Sequence, residues 1–556
     1  QRQMCIRDRL WSCAFPQLYN AEVVVTADGM VVDSLTEQFG IRSLEFSPEF
    51  GFKLNGKKIF LQGNANHHDL GALGAASYDR AIERMMLQLK SFGYNCIRCS
   101  HNPYSESFAR IADRVGMLVV NELTDKWSDN DYWGGRQPFT HLWHKLITEW
   151  IKRDRNRPSI ILWSLGNELQ IREGWAGFEG TNDWGITTYN IFNQLVKRWD
   201  HTRLTTVAMF PARAGAITRH DKEFNDYLVP PELACATEVA SFNYQSDKYD
   251  AYLKYQPDLI LFQSEAETSK LLQPYYNMDR KRTVGMAYWG SAEYWGESNK
   301  WPKKGWNYSF FDHTMRPYPQ AYLIKSAFMP EIPEVHIGVV DAAGAESVSW
   351  NDVTVGRMAL NECWNHIPGS RQSLFTYTNA HSVELLVNGQ SMGVQQNDTT
   401  QANLRNMIYW KDVPYGNGGS VVAIARDKSG KEVARHRIET AGKAVALQIE
   451  TETPADWKAD GMDLQYINVT AIDKKGRPVW DYNEPLTLQM EGAARLVALD
   501  NGDHYTDELF QGITSKRMYQ GRMQIILRST KTPSNVKLKI SSADLKEKLS
   551  LKTFLK

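Results

Sequence analysis

The chain has 556 residues with 42% apolar side chains, a length that suggests three or four domains and a composition that can fill several hydrophobic cores. Basic and acidic residues are equal at 64 each, so net charge gives no attraction to nucleic acid or to an anionic membrane surface. The balanced charge therefore predicts no nucleic-acid partner. No apolar run reaches the roughly 18 residues of a transmembrane helix, so no membrane span is predicted.

The first 46 residues predict the end of a β-sandwich. Residues 1–10 have neither strand nor helix character and are interpreted as an artefact that replaces genuine upstream sequence. Residues 21–25 and 30–32 are strand-like and flank an Asp28-Gly29 turn, which is the pattern of a β-hairpin. We therefore expect residues 1–46 to be the remnant of an immunoglobulin-like sandwich. A signal peptide would have been lost with the missing part, and a periplasmic or secreted bacterial location is expected.

Six cysteines are present, and Cys96 and Cys99 have the spacing of a disulfide or of half a zinc site. They lie in a strand-like segment, where residues three apart point to opposite faces. We therefore interpret both as buried core thiols.

From Phe52 onward, strand-like and helix-like segments alternate, which is typical of α/β architecture. Helical periodicity is present at 81–92, 105–115, 142–153, 189–199 and 318–328. Eight strand candidates match a (β/α)8 TIM barrel, which we place at residues 47–332. The candidates are 58–62, 95–99, 117–121, 160–165, 204–209, 239–243, 259–263 and 284–288.

After the predicted barrel the helical pattern stops. Val383 to Gly389 predicts a strand that runs into an Asn-Gly turn, and residues 421–425 predict another strand. We expect one immunoglobulin-like sandwich at 333–442 and a C-terminal one at 443–556, with strands near 467–471, 486–490 and 524–527. The fold class is therefore a multidomain chain with a TIM barrel flanked by β-sandwiches.

Two of the barrel strands end in a glutamate. Glu168 follows the run 160–165, and Glu265 follows the run 259–263. They are 97 residues apart, from 168 to 265, which leaves room for two or three βα units of about 30 residues each. Both carboxylates can therefore open onto one barrel mouth, where barrel enzymes place their catalytic groups. A single glutamate at a strand end can equally cap a helix or pair with an arginine.

Polar and aromatic residues crowd the other predicted strand ends, a clustering that packing alone does not explain. The triplet His67-His68-Asp69 follows the first strand and His101-Asn102 the second. A metal site at the triplet ranks below recognition of sugar hydroxyls, because neighbouring side chains on a strand diverge. The tryptophans (18), tyrosines (25) and phenylalanines (21) fit a carbohydrate site as well as aromatic cores.

With these motifs, the sequence resembles glycoside hydrolase family 2, and most of all its β-galactosidases. The similarity covers almost the whole chain. It rests on Gly93-Tyr94-Asn95-Cys96-Ile97-Arg98-Cys99-Ser100-His101-Asn102-Pro103, Ser164-Leu165-Gly166-Asn167-Glu168, Phe242-Asn243-Tyr244 and Ser264-Glu265.

The resemblance implies a role for each of seven residues. Glu168 is expected to be the general acid/base and Glu265 the nucleophile of a retaining glycosidase. The residues expected to hold the sugar are His67, His101, Asn167, Tyr244 and Trp289. No cofactor and no metal are carried over, because the ligands that some relatives use for magnesium have no clear match after Glu122.

Three functions stay open at this point. The first is an exo-β-galactosidase that acts on terminal galactosides of oligo- or polysaccharides, as a monomer or a homo-oligomer. The second is another family 2 specificity, β-glucuronidase or β-mannosidase. Family glucuronidases carry an Asn-x-Lys pair after the eighth strand, and Ser298-Asn299-Lys300-Trp301 lacks that spacing. The third, a non-catalytic carbohydrate-binding protein, fits poorly with the presence of both glutamates.

Overall fold

The computed structural model describes residues 9–127, 139–169, 185–210, 230–298, 301–341, 345–350, 353–452 and 456–554. The chain divides into two compact units. The first comprises Gln1–His68, Met86–Trp289 and Ser349–Val355, and the second comprises Asp69–Met85, Gly290–Val348 and Gly356–Lys556. The domain boundaries drawn from the sequence stay predictions.

The chain begins with antiparallel strands. The expected hairpin is confirmed: β1 (Tyr19–Ala27) pairs with β2 (Met30–Phe39). A second, three-stranded sheet follows, made of β3 (Leu44–Ser47), β4 (Gly51–Leu54) and β5 (Lys57–Lys58).

Eight parallel strands then form a closed barrel, which confirms the predicted fold class. Seven neighbouring pairs follow chain order, and β13 pairs with β6 to close the ring. The strands are β6 (Leu61–Asn66), β7 (Cys96–Cys99), β8 (Leu118–Glu122), β9 (Ile160–Asn167), β10 (Leu204–Met209), β11 (Val239–Asn243), β12 (Leu261–Ala266) and β13 (Gly285–Trp289). The residues of all eight strands are buried apart from Gln62 and Leu204, as expected when helices cover a parallel sheet.

The predicted start of the first barrel strand was wrong by three residues, from 58 to 61. Residues 58–62 were expected, but Lys57 and Lys58 pair with β4 and the barrel strand begins at Leu61. Asn55 and Gly56 have positive φ angles of 53° and 75°, so a tight turn reverses the chain before the barrel.

Helices connect most of the barrel strands. The helices are α1 (Asp79–Ser91), α2 (Glu106–Val115), α3 (Phe139–Asp154), α4 (Ile186–Trp199), α5 (Glu232–Ala236), α6 (Tyr249–Tyr255), α7 (Gln273–Asn277) and α8 (Pro319–Phe328). Short 3-10 turns occur at Gly71–Leu73, Ser246–Lys248 and Thr268–Lys270. None of the described helices is long and apolar enough to cross a membrane.

The rest of the chain is almost entirely antiparallel β structure. A small pair, β14 (Tyr294–Trp295) and β15 (Gly305–Trp306), follows the barrel. The next strands are β16 (Val335–Val340), β17 (Glu346–Trp350), β18 (Val353–Arg357), β19 (Leu360–Asn361), β20 (Arg371–Thr378), β21 (Ser382–Val387), β22 (Gln390–Gln396), β23 (Met407–Pro414), β24 (Ser420–Arg426) and β25 (Glu432–Glu439). The last are β26 (Ala446–Thr451), β27 (Leu464–Ile472), β28 (Pro485–Glu491), β29 (Ala494–Asp500), β30 (Ser515–Arg517), β31 (Arg522–Ser529), β32 (Asn535–Ser542) and β33 (Leu545–Lys552).

Each of the two expected β regions holds two four-stranded sheets and one shared core. The first has the sheets β19-β16-β20-β23 and β22-β21-β24-β25, with Trp364 and Trp410 buried between them. The second has β26-β27-β31-β29 and β30-β28-β32-β33 around the buried Trp457. Alternation of buried and exposed residues, as in β32, directs one face of each sheet inward.

Candidate active site

The seven residues singled out in the sequence lie at one rim of the barrel. His67 follows β6, Trp289 ends β13, and His101 comes two residues after β7. Asn167 and Glu265 lie at the ends of β9 and β12, and Glu168 and Tyr244 directly follow β9 and β11. Because all eight strands are parallel, their carboxyl ends share one rim, where the active sites of such barrels lie.

Glu265 is held by two hydrogen-bond donors. Arg98 Nη1 donates to Oε1 at 2.7 Å, and Tyr244 Oη donates to Oε2 at 2.5 Å. Burial raises the pKa of Glu265 to about 7, the negative charge of Glu168 adds to the rise, and Arg98 and Tyr244 oppose it. Each oxygen of this carboxylate is therefore fixed in direction, and its protonation depends on the second glutamate.

Glu168 lies directly after β9 and is 5% exposed. Asn243 Nδ2 donates to Glu168 Oε1 at 3.1 Å and to Asn167 Oδ1 at 3.0 Å. Glu168 and Tyr244 both have positive φ angles, 48° and 61°. L residues rarely adopt this left-handed region, and such backbone is concentrated at functional sites because it aims a side chain that regular strand geometry would turn away.

Arg98 is the centre of the site, although the sequence analysis gave it no role. It lies in β7 and its side chain is fully buried. Its Nε and Nη2 donate to Glu122, at distances of 2.8–3.0 Å, and Nη2 also donates to Asn167 Oδ1 at 2.9 Å. One guanidinium therefore connects three strand ends with Glu265. The available signal was a charged residue inside an otherwise apolar strand, which is rarely buried without a partner.

His101 is neutral and has one favoured tautomer. Its Nδ1 lies 2.6 Å from Glu122 Oε1, and its Nε2 lies 3.3 Å from Asn167 Nδ2, which can only donate. These two contacts favour the tautomer with the proton on Nδ1 and the lone pair on Nε2, while Arg98 Nη2 lies 3.3 Å from the same Nδ1. Burial lowers the pKa of His101 well below its usual range, and the charge of Arg98 contributes to the shift.

Three aromatic rings pack together at the same rim of the barrel. His101 stacks on Trp289 with ring centroids 5.2 Å apart and a 6° angle between planes. His67 meets both rings edge-on, at 5.0 Å from Trp289 and 5.6 Å from His101. The structure thus brings His67, His101 and Trp289 together, and Asn167 links them to the carboxylates.

A lysine–aspartate pair supports the strand end of β9. Lys126 Nζ donates to Asp125 Oδ1 at 2.7 Å and to the carbonyl oxygen of Asn167 at 3.0 Å. Asn167 Nδ2 in turn donates to Asp125 Oδ1 at 3.0 Å. The sequence analysis gave no role to this pair or to Asn243, although Asn243 belongs to the quoted Phe242-Asn243-Tyr244 motif.

The remaining expectations have mixed outcomes. Cys96 and Cys99 are free and buried, as predicted. His68 stacks on Tyr104 at 4.6 Å, and neither His67 nor His68 belongs to the converging ligand groups found among the described residues. Asn299 and Lys300, which bear on glucuronide specificity, lie outside the described residues.

Family comparisons agree with this geometry. The model for the family 2 glycosyl hydrolase TIM barrel matches residues 49–284, a second family 2 model matches 3–42, and a family 2 C-terminal domain matches 447–549. A domain of unknown function, DUF4982, matches 369–434. The closed barrel and the matched segments are those of the family 2 barrel proteins. The chain belongs to glycoside hydrolase family 2.

Individual relatives carry two different names. The β-galactosidase BoGH2A of Bacteroides ovatus is 27% identical over 97% of this chain and 66% of its own length. A putative β-glucuronidase of Formosa agariphila is 26% identical over 94% of this chain and 51% of its own. A family 2 crystal structure from Bacteroides cellulosilyticus has a TM-score of 0.83 and 29% identity, over 98% of this chain and 68% of that one. The chain therefore spans between about half and two thirds of these two curated relatives.

Proposed function

We propose that this protein is a retaining exo-β-glycosidase that removes terminal β-D-galactosyl residues from oligo- or polysaccharides. The observation that carries the proposal is that two neighbouring glutamates have different hydrogen-bond partners. Glu265 receives hydrogen bonds from the Arg98 cation and the Tyr244 hydroxyl, which oppose the rise of its pKa, whereas Glu168 accepts a hydrogen bond from the neutral Asn243 amide at a strand end. A double displacement needs this division between an ionised nucleophile and a proton donor.

In the first step, Glu265 attacks the anomeric carbon and forms a glycosyl–enzyme ester. Glu168 gives its proton to the glycosidic oxygen, so the leaving alcohol departs neutral. In the second step, Glu168 takes a proton from water, the water oxygen attacks the anomeric carbon, and the Glu265 carboxylate is released. Two inversions give net retention, which requires the two carboxyl groups to lie about 5–5.5 Å apart.

The polar groups around the glutamates position the sugar. The hydrogen bond between Asn167 and His101 Nε2 fixes the His101 ring beside Trp289, whose aromatic side chain can pack against the apolar face of a sugar. Arg98 and Lys126 are the cations that contact the candidate residues in the described part of the site. Both are already paired with carboxylates, which favours a neutral sugar over a glucuronide.

The test is a panel of nitrophenyl β-glycosides with galactose, glucuronic acid, mannose and glucose. We expect the highest kcat/KM for the galactoside and, by proton NMR of early products, release of the β-anomer. A higher kcat/KM for the glucuronide would assign the chain to the specificity of its other named relatives. Release of the α-anomer would exclude a retaining mechanism.

A further inference from the structure

A second cluster of titratable side chains lies outside the barrel strands, in the unit that contains the C-terminal sandwich. Glu293 precedes β14, His313 lies in the loop before α8, and His504 follows β29. All three are buried, and their nearest donor atoms lie within 4.8 Å of one another. None of the proposed glycosidase steps uses them.

The two carboxylate oxygens of Glu293 have different partners. Oε1 accepts a hydrogen bond from Tyr318 Oη at 2.8 Å and lies 3.4 Å from Arg357 Nη1. Oε2 faces the imidazoles, 2.9 Å from His504 Nε2 and 3.3 Å from His313 Nδ1. Ligand atoms about 2.0–2.1 Å from a tetrahedral zinc ion are separated by roughly 3.3 Å, so both spacings are compatible with a shared cation.

The ring nitrogens of His504 give a second observation, independent of the spacing of the ligand atoms. Its side chain is 3% exposed, and neither ring nitrogen has a hydrogen-bond partner. Nε2 points into the cluster, close to Glu293 Oε2 but without hydrogen-bond alignment. A buried imidazole nitrogen without a hydrogen-bond partner is unfavourable, and a bound cation removes that cost.

His313 is oriented as metal-binding histidines usually are. Its Nε2 lies 2.8 Å from Asp500 Oδ1, so donation of the Nε2 proton to this carboxylate leaves a lone pair on Nδ1. A carboxylate–histidine–metal arrangement fixes the tautomer and strengthens the ligand. Trp295 packs on both rings, with centroids 4.7 Å from His313 and 5.1 Å from His504.

A second group in the chain provides a contrast. His336, Glu362 and His436 also converge. However, His436 Nδ1 accepts the backbone N–H of Ile337 at 3.0 Å, so its Nε2 must carry the proton and has no lone pair for a metal. This group therefore lacks a complete ligand set.

We propose that Glu293, His313 and His504 bind one divalent transition-metal ion, with Zn²⁺ the best match to two imidazoles and one carboxylate. Asp500 is a positioning residue for His313. The ion ties the segment between β13 and α8 to the loop after β29. This inference is independent of the proposed glycosidase activity, because its test measures metal binding and not catalysis.

The experiment uses the full chain after treatment with a chelator. Zn²⁺ binding is measured by equilibrium dialysis with elemental analysis, and Co²⁺ is added as a spectroscopic probe. We expect one ion per chain, intense visible Co²⁺ bands of a four-coordinate site, and a higher Tm with Zn²⁺. His504→Gln should abolish stoichiometric binding, and Asp500→Asn should weaken it about 10- to 100-fold.

His436→Gln is the matched control, and it should bind metal like the unchanged protein. Circular dichroism checks that each variant is folded. If His504→Gln does not fold, Asp500→Asn, which preserves side-chain shape, decides the question. Absence of stoichiometric binding, wild-type binding by both variants in the proposed site, or loss of binding in His436→Gln would each overturn the proposal.

Discussion

At the scale of single residues, the site depends on one buried arginine that serves two carboxylates. Arg98 is enclosed, and it contacts Glu122 and Glu265 at 2.8 and 2.7 Å. Removal of one partner from a buried ion pair leaves an uncompensated charge, which costs about 3–5 kcal/mol. The arginine is therefore needed for stability as well as for the orientation of Glu265.

The first prediction follows from this pairing. Arg98→Met should lower the free energy of unfolding by about 3–5 kcal/mol, because Glu122 then stays buried without a cation. The double variant Arg98→Met/Glu122→Gln should recover part of the loss. Urea unfolding followed by tryptophan fluorescence provides the measurement. Equal midpoints for the single and double variants would show that the Glu122 charge is not the source of the effect.

The second prediction separates the roles of the two glutamates. Glu265→Gly with added azide should yield an α-glycosyl azide, because azide occupies the space of the missing nucleophile. Glu168→Ala should retain activity on activated leaving groups, and azide should then intercept the glycosyl–enzyme and give the β-glycosyl azide. Product stereochemistry by NMR provides the measurement. A β product from the Glu265 variant would mean that the roles are exchanged.

The third prediction concerns pH. Glu265 attacks as an anion, and its pKa is raised to about 7, so kcat/KM should fall as the pH drops through about 7. The Tyr244 hydroxyl donates to Glu265 Oε2 and opposes that rise. Tyr244→Phe removes this donor and should move the acid limb to higher pH, measured for both proteins with a dinitrophenyl galactoside. An unmoved limb, or one displaced to lower pH, would contradict this effect of the Tyr244 hydrogen bond.

At the scale of elements, helix α2 beside the barrel is fixed by hydrogen bonds at both of its ends. In α2, Ser105 Oγ accepts the Phe108 N–H at 3.2 Å at the N-terminus. At the other end Gly116 has a φ of 77° and donates its N–H to Ala112 O at 2.9 Å. A Cβ atom at Gly116 would lie 2.5 Å from the Cys13 carbonyl oxygen, so only glycine fits.

The fourth prediction uses this close approach. Gly116→Ala should destabilise the protein by about 2–4 kcal/mol, since backbone strain and a clash with main-chain atoms add together. Gly56→Ala is the matched control, because Gly56 has a φ of 75° but open space around it. We expect about 1–2 kcal/mol for that variant. Thermal unfolding of both variants tests the difference, and equal losses would show that the Cys13 contact relaxes.

At the scale of the whole molecule, the second unit contains segments from distant parts of the sequence. Arg80 in α1 makes two hydrogen bonds of 2.9 Å to Asp463, and Arg84 does the same with Glu452 at 2.6 and 3.0 Å. An apolar cluster that includes Ala81 lies next to them. Residues 69–85 therefore fold with the C-terminal sandwich.

The fifth prediction compares this contact with a surface pair. Arg80→Ala should destabilise the chain by about 1–3 kcal/mol, because Asp463 is 8% exposed and loses a bidentate partner. Arg435→Ala breaks the exposed pair with Glu432, where the two side chains are 53% and 39% exposed, and should leave stability nearly unchanged because water screens the pair. Chemical denaturation gives the comparison. Equal effects would mean that the Asp463 carboxylate is resolvated without cost.

The sequence by itself determined the order and type of the elements. Apolar runs with strand or helix periodicity marked all eight barrel strands and five of the helices, since burial imposes a local repeat on the chain. The two glutamates were visible for the same reason, because a polar residue at the end of an apolar strand contradicts the local pattern. Boundaries shifted by a few residues where a turn, such as Asn55-Gly56, competed with the apolar run.

Only the tertiary structure decided which side chains meet. Arg98 reaches Glu265 across 167 residues, and the tautomer of His101 depends on Glu122 and Asn167 from two other strands. The Glu293, His313 and His504 cluster joins segments 211 residues apart, from 293 to 504, with no shared motif. Such contacts leave no local repeat in the sequence, because they arise from the closure of the barrel and from the packing of distant loops rather than from the period of any one element.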